Sequence, residues 1–116
     1  MATIITPQKV RAVLIQAGFR PGAADGRDEQ AGFVARTLRR SGREVPMTYY
    51  GTRHELERAV MVKHAFGRNE AQDAEVEMAS LEAYATALRQ ADIKAKVVVA
   101  GAALGEQHTW RYVEVG

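Results

Sequence analysis

Cysteine is absent from the chain, which excludes disulfides, thiolate metal sites and thiol nucleophiles together. Packing alone must hold the fold. Lysine is scarce, with 4 residues against 12 arginines, and aromatic residues make up only 7%. No apolar run approaches the roughly 18 to 20 residues that a membrane span requires. The first six residues, Met1-Ala-Thr-Ile-Ile-Thr6, lack the basic segment and long apolar core of a signal peptide. A cytoplasmic location, with no membrane partner, is the expectation.

The residues that are present describe a globular chain. In 116 residues, 47% are hydrophobic and 26% charged, a balance suited to one domain with one core. Charge is unevenly placed. Residues 1–69 carry 12 basic and 6 acidic side chains, a net of +6, while residues 70–116 carry 4 and 8, a net of −4. Such polarity suits either a basic face for an acidic partner or two halves that attract each other.

Thr6-Pro7 opens a first helix, with Thr6 as cap and Pro7 where its missing N–H costs nothing. Val10, Val13, Leu14 and Ala17 follow at helical spacing, and Gly18 supplies a left-handed stop before Phe19. Residues 20–30 form a loop with a turn at Asp25-Gly26. The stretch ARTLRRSGR, residues 35–43, is ambiguous. Local rules favour a helix over 29–41, with Ala31, Val34, Ala35 and Leu38 as its stripe, Asp28 as cap and Gly42 as stop. Alternatively Ser41-Gly42 is the turn of a hairpin, with Pro46 confined to an edge strand.

Residues 53–58, RHELER, read as a loop or short helical turn, and residues 59–66 as a strand ending at Gly67. A second amphipathic helix runs from about Ala71 to Ala91. Two closing strands follow, KAKVVVAG and HTWRYVEV, joined by AALGEQ. The segment 10–19, VRAVLIQAGF, echoes 84–93, YATALRQADI, as if two helix–strand–strand units were repeated. The expected fold is a single α+β domain over residues 1–116. Two amphipathic helices pack on an antiparallel sheet, in the order α-β-β-(β)-α-β-β.

The stretches KVRAVLIQAGF, AGFVAR and LEAYATALRQADIKAKVV resemble small uncharacterised α+β proteins of actinobacteria and actinobacteriophages. Those proteins pair a helix ending in Ala-Gly-Phe or Ala-Gly-His with a Gly-Phe-x-Val strand, then a Tyr-Ala-x-x-Leu helix and a terminal hairpin. The resemblance covers about half the chain. It implies that Gly32-Phe33 begins a strand, which favours the hairpin over the helix, and it implies a phage or mobile-element origin. The chain departs from the pattern at Asp92, where glycine stands, and in a longer middle segment at 41–58. A narrower likeness joins AGFRPGAADG to the loop of peptidoglycan-binding repeats. It fails at Glu29 and Gln30, where that pattern has Gly-Pro, and its later Phe-Gln is missing.

The candidate binding residues are Arg36, Arg39, Arg40 and Arg43, joined by Arg53 and by Tyr49 and Tyr50. A guanidinium is a planar fork suited to phosphate or carboxylate, so clustered arginines point to an acidic protein surface or nucleic acid. The ordinary alternative is a solvated strand edge kept basic against aggregation. His108, Trp110 and Tyr112 share one face of the last strand, where they either pack beneath a helix or stack unpaired bases; aromatics usually bury. His54, His64 and His108 show no ligand spacing, and GAALG at 101–105 lacks the lysine of a phosphate loop. No metal, cofactor or catalytic residue is therefore assigned. The expectation is a non-enzymatic binding protein that engages a host or phage macromolecule through its Arg-rich face. The alternative is a nucleic-acid-binding module using the arginines on phosphates and the aromatics for stacking.

Overall fold

A computed structural model describes residues 5–23, 30–47, 51–101, 103, 105 and 109–116, with the backbone alone described at 39–47 and 51–58. The first helix, α1 (Pro7–Gln16), begins where Thr6 Oγ1 accepts a hydrogen bond from the Lys9 N–H at 3.2 Å. It ends at Gly18, whose φ is +98°. There the Phe19 N–H donates to the Leu14 carbonyl and the Gly18 N–H to that of Ile15, both at 3.0 Å. That pair of bonds closes the helix and turns Phe19 back onto its last turn.

The second helix, α2 (Ala74–Gln90), starts later than the periodicity predicts, because Asp73 is its cap and not a residue of its first turn. Asp73 Oδ1 accepts from the Glu75 N–H at 2.8 Å and the Val76 N–H at 3.3 Å. Its other end repeats the geometry of α1. Asp92 has a φ of +60°, its N–H donates to the Arg89 carbonyl at 3.0 Å, and the Ile93 N–H donates to that of Leu88 at 2.9 Å. Asp92 thus occupies a left-handed position, the conformation that glycine adopts at no steric cost. Replacing Asp92 with glycine should stabilise the fold by about 0.5–1 kcal/mol. A urea titration reads this directly, and an unchanged or lowered midpoint would show that the aspartate relieves its own strain.

Four strands complete the chain: β1 (Gly32–Met47), β2 (Gly51–Ala65), β3 (Ala95–Ala100) and β4 (Trp110–Val115). They form one antiparallel sheet in the order β1-β2-β4-β3. The α-β-β-α-β-β order and the α+β architecture agree with expectation, and Gly32 begins a strand as the resemblance implies. Residues 31–41 are not helical. The predicted turn at Ser41-Gly42 is also absent: β1 runs through it, and the ladder only shifts register between Ser41 and Glu44. The chain reverses between Met47 and Gly51 instead. Residues 51–58, expected as a loop or helical turn, form the outer part of β2. A ladder pairing 32–47 with 51–65 makes many more backbone bonds than a short hairpin closed at Ser41-Gly42, and a bulge absorbs the misfit. Pro46 sits on β1, an edge strand, where a proline is tolerated within a sheet. The expected turns at Asp25-Gly26 and over residues 101–106 lie wholly or partly outside the described residues.

Both helices cover the same face of the sheet. Val10 and Leu14 of α1 meet Leu81, Tyr84, Ala85 and Leu88 of α2 over Phe33, Val60, Val62, Val113 and Val115. The echo between 10–19 and 84–93 is visible here: Val10, Leu14 and Phe19 stand against this core as Tyr84, Leu88 and Ile93 do. The sheet repeats the symmetry. Antiparallel β2 and β4 meet at its centre, paired over Val60–Val62 and Val113–Val115. Exchanging them about the Met61–Glu114 pair exchanges β1 with β3, so Arg36 opposite Met61 corresponds to Lys96 opposite Glu114.

The first unit differs in one large respect. Over residues 60–62, β2 pairs with β4 as well as β1, but residues 38–47 and 51–59 pair only with each other. They form a two-stranded arm that runs about 30 Å past the body, at roughly 3.3 Å per residue. The molecule measures 54 × 37 × 22 Å with a radius of gyration of 16.1 Å, against about 13 Å for a compact domain of this length.

Candidate nucleic-acid interface

The arginine cluster lies along this arm. Arg36 is exposed where the arm leaves the body, and Arg39, Arg40 and Arg43 follow it on β1. The cross-strand partners differ from those of a hairpin turning at Ser41-Gly42, which would set Arg40 against Arg43 and Arg39 against Glu44. In the observed register Arg40 stands opposite Glu57, Arg39 opposite Arg58 and Leu38 opposite Ala59. Arg53, opposite Val45, lies near the end of the arm. Tyr49 and Tyr50 are outside the described residues. Over residues 36–47 the outer strand carries four arginines and one glutamate, Glu44. Some of this charge is balanced by Glu55 and Glu57 on β2, which leaves residues 36–58 with a net of +3.

A second surface adjoins the base of the arm. Successive side chains of a strand point to opposite faces. With Phe33, Val62 and Val113 turned to the helices, the other face receives Val34, Arg36, Met61, Lys63, Lys96, Val98, Trp110, Tyr112 and Glu114. Among the described residues no helix covers it. Trp110 is 50% exposed on this face, and Tyr112 is partly exposed beside Val98. The expectation that Trp110 and Tyr112 pack beneath a helix is therefore overturned. Val113 and Val115 take that position, fully buried in the core beneath the helices. Lys63 and Arg36 are exposed on this open face and make no ion pair with a described residue, whereas Lys96 reaches Glu114 at 3.6 Å. Lys63 is absent from the candidates read from sequence. The alternation of Val60, Val62 and His64 with Met61 and Lys63 carries the signal that places it outside.

The opposite layer contains a hydrogen-bonded titratable pair. His64 Nδ1 and the Tyr84 hydroxyl share a 2.7 Å hydrogen bond, and Phe33, Phe19 and Phe66 pack edge-on around the two rings. Burial lowers the His64 pKa below its ordinary 6.5, against the pull of Glu70 and Glu77, and pushes the Tyr84 hydroxyl up to about 12. Among the described residues the buried Nε2 atom has no hydrogen-bond partner. This histidine is partly buried beside the core, against Tyr84 and Phe66. In the pH range below 6.5 the unfolded chain binds a proton that the folded chain refuses, so stability falls as pH drops through it. Urea midpoints at pH 7.5 and 5.5 should differ in that sense, and His64→Gln should narrow the difference. A midpoint that rises on acidification would contradict the assignment.

Elsewhere, Arg111 of β4 donates to Glu77 of α2 at 3.1 Å, pinning the helix to the sheet. Among the described residues no three His, Cys, Asp or Glu side chains gather as a metal site, and no helix is long and apolar enough to cross a membrane. The candidate interface therefore has two parts: an arginine-bearing arm and an open sheet face holding a tryptophan, a tyrosine and two cations that make no ion pair with a described residue. Comparison with protein-family models, curated proteins and solved structures gave no match, so its chemistry is read from these side chains alone.

Proposed function

We propose that this protein is a non-enzymatic binding module whose arm grips nucleic acid, acting in the cytoplasm of a bacterial host and carried there by a phage or mobile element, as the sequence resemblance implies. The arm carries the reading. A two-stranded ribbon some 30 Å long is costly to keep straight in solution and buries little. Arginine is the residue best suited to line it for phosphate, since its fork matches the phosphate oxygens and it sheds water readily. An acidic protein surface offers the same charge at lower density than a nucleic-acid backbone. The exposed Trp110, on the same sheet face as Lys63 and Arg36, favours the polymer that presents both phosphates and flat rings.

Pull-down from a bacterial lysate, run with and without nuclease, tests this. Captured material should be nucleic acid, and any protein retained should be lost after nuclease. Mobility shift at about 50 mM salt, where phosphate contacts are strong, gives the direct version. Nuclease-resistant capture of one protein, with no shift of single- or double-stranded probes, would return the arm to the acidic-protein reading.

A further inference from the structure

We infer that the open face of the sheet is a stacking platform for unpaired bases, with Trp110 as its principal ring, and that the nucleic acid bound is therefore single-stranded. This rests on the nucleic-acid reading of the arm and adds the state of the strand. Four strands spaced about 4.8 Å apart make a face some 14 Å across, too broad and flat to enter a major groove about 12 Å wide. Bases inside a duplex are already stacked and offer no ring to an exposed indole. Unpaired bases do, and each one stacked on an aromatic ring gains affinity whatever its sequence.

The side chains fit that ligand. Trp110 stands opposite Ala100, whose methyl group leaves the indole uncrowded from that side, and Tyr112 stands opposite Val98. The two rings are two residues apart on one face, about 7 Å along the strand, a spacing that an extended single strand can match. Lys63 and Arg36 lie on the same face toward β1, and the one described carboxylate there, Glu114, is held by Lys96. Phosphates approaching from the arm thus meet Arg36, then Lys63, before the bases reach Tyr112 and Trp110.

Trp110 is the only tryptophan in the chain, so its emission reports on the face alone. The probes are an oligothymidylate of about 12 nucleotides, within the usual single-strand site size, and the same strand annealed to its complement. The single strand should quench Trp110 emission. Trp110→Ala should weaken its binding about 10- to 100-fold, the worth of one stacked base. Trp110→Phe should restore most of the loss, and the salt dependence contributed by the arm should remain. Circular dichroism confirms that each variant is folded.

Equal affinity of Trp110→Ala and the parent for oligothymidylate, or tighter binding of the duplex with emission unmoved, would overturn the platform while leaving the arm reading intact. Loss of a sedimenting oligomer in Trp110→Ala, with oligothymidylate affinity unchanged, would reassign the face to contact between copies of the chain. Failure of both probes to bind the parent protein would sink both readings.

Discussion

Exchanging Arg36, Arg39, Arg40 and Arg43 together for alanine should lower the affinity for single-stranded nucleic acid a few hundredfold at about 0.1 M salt, since each phosphate neutralised contributes roughly 0.7 to the salt exponent. The effect should be nearly uniform across sequences, because phosphate contacts position a strand without reading it. Thermal stability should change little, since the arm is a backbone ladder outside the core. Lys9 and Arg11 supply the control. They are exposed on α1, on the helix-covered side of the molecule, and replacing them should leave affinity nearly unchanged. Equal losses in the two variants would mean that net charge, rather than the arm, governs binding.

A second large effect is expected at Gly32, for stability rather than binding. Here the segment after α1 runs parallel to the start of β1: the Phe33 N–H donates to the Arg20 carbonyl at 3.0 Å, and the Gly22 N–H donates to the Phe33 carbonyl at 2.8 Å. These bonds tie the segment after α1 to the start of β1 and hold Phe33 beneath the helices. A methyl group on Gly32 would lie 2.4 Å from the Arg20 carbonyl oxygen and 2.5 Å from the Gly22 nitrogen, both backbone atoms. No side-chain rotation relieves such a clash. Gly32→Ala should therefore cost about 3 kcal/mol or more, at the upper end of overpacking, as the two segments separate. Gly18→Ala is the informative contrast. Gly18 has open space around it but a φ of +98°, so alanine meets only backbone strain, about 1–2 kcal/mol. A Gly32→Ala protein as stable as the parent would show that this pairing is not a fixed part of the fold.

Much of this architecture was legible in the sequence wherever one local signal acts alone. Thr6-Pro7 and Gly18 marked the ends of α1, and the echo between 10–19 and 84–93 gave the doubled helix–strand–strand plan. The misreadings share a cause: a local preference lost to longer-range pairing. Ser41-Gly42 has the composition of a turn, but the ladder to β2 carries it through as a bulge. The charged run 53–58 shows no strand-like alternation of apolar and polar residues, and it is extended because β1 pairs with it. In β4, alternation correctly put Trp110 and Tyr112 on one face. It could not say which face the helices cover, since that depends on where the whole chain brings α1 and α2 to pack. The arginines were visible from the start. That they line a projecting arm depends on where the chain reverses, which no local signal near Ser41 or Gly42 discloses.

The salt dependence of oligothymidylate binding, compared between the parent and the Arg36, Arg39, Arg40 and Arg43 alanine variant, tests the central claim most directly. Four to six arm arginines on phosphates predict that log K falls with log salt with a slope of about −3 to −4 in the parent, flattening to about −1 in the variant. A parent slope near zero, or the same slope in both proteins, would contradict the assignment of the arm to nucleic acid.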